Sequence, residues 1–524
     1  MTRLLVTLVL AIAGALCCCP RRGRSQDEWI NLPPANEDAF VVDFPDEEAP
    51  LRFKLFEAPP TVLSRLDQPL SRLWESLLRS KHYELSTALA EEAIGLQPIP
   101  ARPPLLIEWN ERFLAPGFLR QGIKIPTGAV WRPSLWVFGE FRSGWQYFDR
   151  DRTIDPTAEW ASRLDLFGQV NLSGTERLLL GIRPLDQERG SARTFSGYDF
   201  HNGNWVDGWN GNLQTFFFEG DVGEVFPKLD PYDTLQLDYG FSVGRMPLLA
   251  QQGLLINEDM IDAVTITRNT LHGHGNLNLR MTGVYAWRGI NRNSAVGRPN
   301  DFDPGSRMIA LLTESDFAKR TIDLDAAYVY GDDAFGDLFV VAASSIRRHQ
   351  GYHNSYNTSL HVLASIPNGR RTAYADQGEL LFAQTSWTPH HSDDLIYLNA
   401  FLAIDQFTSA ARGPLAGEPL IQAGLLFAAV GLGNFDVPIS ATTDNVAGGS
   451  LGYQLFFDDT RQQVIWEVGG FKETKGDSRG TLGTGVRYQK AIGQHLIFLV
   501  DAFVAKRESA SVAQGARTEL RVKF

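Results

Sequence analysis

From Ser134 to the C-terminus the apolar residues recur at every second position, and this period of two limits the chain to β-strands with one apolar and one polar face. The end of the chain is the plainest case. Thr518, Leu520, Val522 and Phe524 share one face, while Arg517, Glu519, Arg521 and Lys523 share the other. The same alternation sets Leu164, Leu166, Gly168, Val170 and Leu172 against Arg163, Asp165, Gln169 and Asn171. It sets Leu277, Leu279, Met281, Tyr285 and Trp287 against Asn278, Arg280, Thr282 and Arg288. Ile322, Leu324, Ala326, Tyr328 and Tyr330 oppose Asp323 and Asp325, and Leu482, Thr484, Val486 and Tyr488 oppose Arg487 and Gln489.

Such strands fit two architectures. In a soluble barrel or sandwich the apolar face closes a core. In a transmembrane barrel it meets lipid, the polar face lines water, and a strand needs about ten residues to cross. The sequence favours the second. Aromatics recur near expected strand ends, at Trp145, Tyr147, Tyr285, Trp287, Tyr328 and Tyr330, where a headgroup girdle would stand. Through the first half, long connections (Arg150–Glu159, Pro184–Asn212, Gly289–Ser306) alternate with short ones (Ser173–Thr175, Pro227–Asp233, Phe317–Arg320). Beyond the N-terminus no apolar run nears the ~18 residues of a membrane-spanning helix.

The N-terminus reads as an export address. Arg3 precedes the apolar run Leu4–Leu16, and two small-x-small sites compete, Ala13-Gly14-Ala15 at the end of that run and Gly23-Arg24-Ser25 after it. Cleavage after Ser25 is the expected outcome, with a lipid anchor on one of Cys17–Cys19 or a retained helix as alternatives. These are the only cysteines among 524 residues, so the mature chain would hold no disulfide and no thiolate site. Cleavage also removes the arginines at 3, 21, 22 and 24 and no acid, deepening the net charge of −12 by four. A general nucleic-acid binder carries a basic footprint, so this balance speaks against one. The apolar share of 44% is too high for a disordered chain.

Residues 26–133 lack the period of two. Asp27-Glu28 and the Asp43–Glu48 run read as solvated loop. Asp67 is a good N-cap with Pro69 in the first turn, and Leu70, Leu73, Leu77 and Leu78 then form a helical stripe. A second helix is expected near Glu84–Ile94, and Pro98–Pro104 reads as an extended linker. This partly helical segment would be a periplasmic element or a plug for the barrel of residues 134–524.

The terminal strand ending in Val522-Lys523-Phe524 resembles the C-terminal signal of bacterial outer-membrane β-barrels, which assembly machinery reads. Val243-Gly244-Arg245-Met246-Pro247, a loop, and Ile261-Asp262-Ala263-Val264-Thr265-Ile266-Thr267-Arg268 are similar to a strand–loop–strand pattern of large porin-like barrels, including the alginate-export type. The resemblance covers roughly residues 134–524. It implies an all-β transmembrane antiparallel barrel in the bacterial outer membrane, with Phe524 as assembly signal and membrane lipid and the barrel-assembly machinery as partners. A homo-oligomer would suit the class, though no sequence feature marks an interface. Counting strands gives nineteen candidates. Leu420–Gly431 (LIQAGLLFAAVG) is apolar on both faces and reads better as an inward-folded or membrane-dipping loop, leaving about eighteen, with sixteen the alternative. Barrels of that size are wide enough for an aqueous channel.

Motifs for covalent chemistry are scarce. His353-Asn354-Ser355 is similar to the His-x-Ser that outer-membrane phospholipases carry on the barrel exterior, but its surroundings read as a turn and the third, orienting group is unassigned. His272-Gly273-His274 is half a zinc site at most, and His390-His391 with Asp393-Asp394 reads as a polar turn. The mature chain contains no phosphate loop, HExxH or CxxC. No enzyme activity, metal or cofactor is expected. Tyr198, Phe200, Trp205 and Trp209, set among Asn, Gly and Asp, suit stacking on sugar rings, and also suit a surface loop packed on itself.

With the apolar face toward lipid, the lumen would be lined by Glu140, Arg142, Arg163, Asp165, Arg280, Arg288, Asp323, Asp325, Arg487, Asp501, Glu519 and Arg521. Rings of one sign select ions of the other, and this mixed set suits no dedicated polyanion pore. It would pass small hydrophilic solutes under a transverse field, or simply pair across strands and solvate the wall. The expected activity is therefore passive diffusion through a porin-like channel. A saccharide conduit, an outer-membrane hydrolase and a closed structural barrel are the alternatives.

Overall fold

The structure, a computed structural model, describes residues 105–524 apart from the short stretches 115–120, 151–154, 190–191, 233–236, 274, 296–300, 351–354, 390–391, 413–422, 440–441, 459, 477–478 and 509–510. The export segment, both expected helices, the linker Pro98–Pro104, His274, His353 and His390–His391 lie outside the described residues.

Eighteen strands form the wall. In chain order they are β1 Ser134–Asp149, β2 Thr157–Asn171, β3 Arg177–Ile182, β4 Leu213–Asp221, β5 Tyr239–Ala250 and β6 Ile256–Leu271. Then come β7 Asn278–Arg288, β8 Arg307–Phe317, β9 Arg320–Tyr330, β10 Asp337–Gln350, β11 Ser355–Asn368 and β12 Gly378–Thr388. The last six are β13 Leu395–Gln406, β14 Asp444–Phe457, β15 Gln462–Glu473, β16 Gly480–Ile492, β17 Leu496–Arg507 and β18 Val512–Lys523. Each pairs antiparallel with its neighbours in sequence, and β18 returns to β1 from Gln514↔Asp149 to Lys523↔Glu140. The strands thus close into a ring, the arrangement by which a sheet pairs its edges in lipid.

The alternation read from the sequence sorts the side chains. Leu180, Val243, Ile266, Ile309, Leu324, Leu360, Leu451, Leu482 and Leu520 are exposed on the outer surface. Their neighbours one position away face inward, and on β6–β13 many are apolar and buried: Ala263, Val284, Ala286, Met308, Ala310, Val329, Val340, Leu363 and Phe382. Aliphatics outside and a filled interior are what lipid on one side and protein on the other require.

Two places depart from a plain ring. β3 has six residues, fewer than a crossing needs. Above it the strand Ala192–Asp199 pairs with the upper part of β2, from Glu159↔Asp199 to Ser162↔Ser196. Asp186–Arg189 and Asn204–Val206 flank that strand, so the long β3–β4 connection folds into a hairpin that extends the wall from β2 above β3. At the other end β18 stops short of the base of β1. Phe524 closes part of the gap, its N–H donating to Gly139 O at 3.1 Å and its carbonyl accepting from Gly139 N at 2.7 Å. Gly139 is required there, because a Cβ would collide with Asp165 O. Ile107–Trp109 then continues the line of β18, pairing with Leu135–Val137.

The connection 222–238, expected to be short, holds the helical turn Val222–Val225, capped by the Asp221 carboxylate on Gly223 N at 2.9 Å. Lys228 Nζ there donates to Pro126 O at 2.6 Å, so the chain just before the barrel rests on this end. Residues 423–431 form no strand. They fold into the barrel, which fixes the count at eighteen.

Candidate functional site

The inner face divides into two regions, each covered by chain entering from the end opposite the C-terminus. On β15–β18 and β1–β2 the inward positions are polar and ionised. Arg487 Nε donates to Asp501 Oδ1 at 2.6 Å, and Arg517 Nε to Asp501 Oδ2 at 2.6 Å. Arg517 Nη1 reaches Glu519 Oε2 at 2.6 Å, while Arg142 Nε and Arg521 Nε reach Glu519 Oε1 at 2.6 and 2.7 Å. Across β1, Arg163 Nε and Arg183 Nε both donate to Asp165, at 2.8 and 2.5 Å. The result is two clusters of paired charges, one across β16–β18 and β1 and one around Asp165, which meet where Arg142 lies opposite Arg163. An oppositely charged neighbour at hydrogen-bond distance is what lets a guanidinium lie buried.

The clusters hold the segment 423–439. Arg142 Nη2 donates to Val430 O at 2.8 Å, Arg163 Nη1 to Gly431 O at 2.9 Å, and Gln146 Nε2 to Leu432 O at 3.1 Å. Glu159 accepts from both Asn434 N and Asn434 Nδ2, the latter at 2.8 Å. Glu467 on β15 accepts Leu425 N at 2.8 Å and Leu426 N at 2.9 Å, and takes a further hydrogen bond from the Tyr397 hydroxyl. Close approach explains two glycines. Gly424 (φ +119°) leaves no room for a Cβ beside Glu467, and Gly433 (φ +62°) leaves none beside Gln146 and Glu159. Phe427 packs edge-on against Phe401, and Phe435 against Phe148 and Phe503.

On β5–β13 the cover is mostly apolar. Leu254, Leu255 and Ile256 in and beside the β5–β6 turn are fully buried, as are Phe407, Ala410 and Ala411 after β13. Backbone and hydroxyl bonds lock them together: Ala410 N to Leu255 O at 3.1 Å and Ser409 Oγ to Leu254 O at 2.8 Å. The β7–β8 connection adds the short ladder Ile290–Arg292 with Asp301–Asp303. Buried Arg292 donates to Gly336 O at 3.0 Å and stands 3.9 Å from Asp303. Burial pushes its guanidinium down to about 10 and pushes the Asp303 carboxyl above the usual carboxylate range. One polar island interrupts this half. Gln251 Nε2 donates to Asp325 Oδ2 at 2.9 Å, and Gln251 Oε1 lies 3.0 Å from His361 Nδ1.

Of the twelve residues expected to line the lumen, eleven lie on inward positions, but only some meet water. Arg142, Arg163, Asp165, Asp325, Asp501 and Glu519 are buried in the contacts above. Asp323 accepts from Ser344 Oγ at 2.7 Å and is half-buried. Arg280 and Glu314, joined at 2.5 Å, keep half and over a third of their side chains exposed. Arg521 and Glu140 keep about a quarter, and Arg487 is partly exposed. Arg288 is the exception. The β6–β7 register slips so that Asp262 lies opposite Arg288 while Ala263 lies opposite Ala286. Asp262 faces outward, gripped by Arg245 at 2.7 and 3.0 Å, so the slip carries exposed Arg288 out of the inward set. The Arg245–Asp262 pair joins the two halves of the strand–loop–strand pattern noticed in the sequence.

Tyr198 and Trp205 do not face the lumen. They stand on the outer surface in register with Trp160, and Trp209 is exposed just beyond. Ser355 occupies an inward position at the start of β11, between outward Tyr356 and its ladder partners Gln350 and Thr388, unlike the exterior His-x-Ser arrangement. Glu159, Glu467 and Gln146 were absent from the sequence expectation, although the inward parity of their strands could have flagged them; Gln251, in the turn after β5, carries no such signal.

No protein-family model matches the sequence, and no curated protein matches it. Solved structures do. OccK5 (OpdH) of Pseudomonas aeruginosa superposes with a TM-score of 0.51 at 10% identity, over 74% of this chain and 98% of that one. OccAB3 of Acinetobacter baumannii gives 0.50 at 11% identity, over 74% and 99%. A BenF-like porin from Pseudomonas fluorescens Pf-5 gives 0.51 at 10%, over 74% and 98%. The likeness is one of fold, and with the closed ring of strands it makes this chain an eighteen-stranded antiparallel β-barrel built as outer-membrane porins are built.

Proposed function

We propose that the chain is an outer-membrane channel for passive diffusion of small hydrophilic solutes, exported with residues 1–25 removed. Its termini and shorter turns would face the periplasm, as in other barrels of this kind, and Phe524 would be read by the assembly machinery. The observation that carries the reading is the pairing of a lipid-ready outer face with inward charges still in water, Arg280–Glu314 and Arg521–Glu140. Such side chains solvate a polar solute in transit, and the narrowing element would be the segment 423–439.

Single-channel recording in a planar bilayer tests this. The refolded chain is expected to give stable ohmic steps, and deletion of 423–439 is expected to enlarge them. A salt gradient then reads which sign of luminal charge dominates. A folded, heat-modifiable barrel that gives no steps with or without that segment would overturn the reading.

A further inference from the structure

The hairpin above β3 carries an aromatic surface that the lumen does not use. Trp145 lies opposite Trp160, Trp160 opposite Tyr198, and Tyr198 opposite Trp205, so four rings stand in one outward row across four strands. Trp160 and Trp205 meet edge-on at 5.8 Å, and Tyr198 and Trp205 at 5.1 Å. Phe200, one step nearer the rim, contacts Tyr198 at 5.2 Å and donates its N–H to Ala158 O at 2.8 Å.

The inward face of the same hairpin is closed off. Phe195 is buried with Ala161 of β2 and Leu432 of the inward segment. The hairpin is therefore a piece of wall and not a strap over the mouth. Its outer face nevertheless leaves Trp205 72% and Phe200 53% exposed. Depth orders the chemistry along β2 and the hairpin. Aliphatic Leu164 and Leu166 come first, then the ring row, then a polar tip where Asp199 accepts His201 N at 2.9 Å and Asn202 Nδ2 at 2.6 Å. Hydrocarbon, amphipathic ring, polar group is the order in which a bilayer changes from acyl chain to headgroup to water.

We infer that the hairpin 186–206 is a membrane-contact element. Trp205, Phe200 and Tyr198 rest in the boundary between headgroups and acyl chains of the leaflet on the long-connection side. The partner is lipid, because the row continues the lipid-facing surface of β1 and β2 without a break. The inference depends on the barrel lying in a membrane and not on its conducting, so a silent channel would leave it standing.

Tryptophan emission tests it directly. The chain has twelve tryptophans, so the signal of Trp205 is read as the difference between the unaltered protein and Trp205→Phe. Both are placed in phosphatidylcholine vesicles, with and without bromines at a shallow acyl position. The emission lost with Trp205 is expected to be blue-shifted, quenched by the bromines and protected from aqueous acrylamide. Emission that is red-shifted, open to acrylamide and untouched by bromine would overturn the inference. So would protection by a soluble oligosaccharide in detergent, which would make the row a sugar platform instead. Trp205→Tyr reads the same difference should the Phe variant not insert, and heat-modifiable migration reports folding of each.

Discussion

The two halves of the barrel interior are filled by the same device, chain folded in from one rim, but held by different physics. Over β5–β13 the fit is between apolar surfaces such as Leu254, Ile261, Met308, Leu363 and Phe382, all fully buried. Over β15–β2 it is a set of directional bonds with the main chain of 425–434, donated by Arg142 and Arg163 and accepted by Glu159 and Glu467. Apolar contact is graded with area and tolerates small changes. A buried ion ladder is not graded, because removing one member leaves its partners charged and unpaired.

Glu519→Ala is the strongest way to break that contrast. Its carboxylate takes hydrogen bonds from three guanidiniums, those of Arg142, Arg517 and Arg521, which would then face one another. A loss of about 3–5 kcal/mol is expected, read as a lowered urea midpoint for the barrel in detergent or vesicles. On the apolar side Leu254→Ala should cost about 3 kcal/mol through the cavity it leaves, and Leu254→Val distinctly less. If the two aliphatic variants cost the same, or if Glu519→Ala costs less than Leu254→Ala, the division into graded and ungraded halves is wrong.

Gly424→Ala sharpens the comparison without replacing a wall residue. The new Cβ would collide with the Glu467 carboxylate, at a φ of +119° that side chains avoid. About 1–3 kcal/mol of strain at this latch is expected. The barrel's urea midpoint should move little while single-channel current becomes larger or noisier, as the segment 423–439 loosens. A silent substitution in both measurements would mean that Glu467 does not hold the segment.

The range of each interaction decides how much of this was legible in the sequence. Alternation is local, so Arg517–Phe524 or Leu164–Leu172 declared their faces, and the closed ring of long strands came from repeating that pattern. The run Leu420–Gly431 also betrayed itself, since apolar residues on both faces cannot serve a strand with lipid on one side and water on the other. What the pattern could not carry was partnership across long separations. Arg142 and Glu519 are 377 positions apart, and Glu159 and Asn434 are 275 apart. Alternation placed such residues inward without saying that they would be buried under a returning loop. It failed for Arg288, because one register slip reverses a face and leaves no mark in the composition. The rings at Tyr198–Trp205 were visible, but their outward aim depends on a short β3 and on pairing with β2.

The smallest effect lies at the tip of that hairpin, and pH reaches it. Hydrogen bonds from Asn202 hold the Asp199 carboxyl below the usual carboxylate range, the largest cause being the Asn202 side chain and the next its backbone N–H. A carboxyl depressed in the folded state stabilises it fully above its unfolded value, and that contribution fades as pH falls through the folded one. The tip should therefore stay ordered at neutral pH and loosen as pH falls below the usual carboxylate range. Asp199→Asn, which cannot ionise, should show the loosened behaviour at every pH. Amide hydrogen exchange at His201 and Asn202 checks both, since their N–H groups donate to this carboxylate. Protection that is unchanged by acid and by Asp199→Asn would show that the tip is held from below, by the ring row and the β2 ladder, and that the wall there is as rigid as the strands on either side.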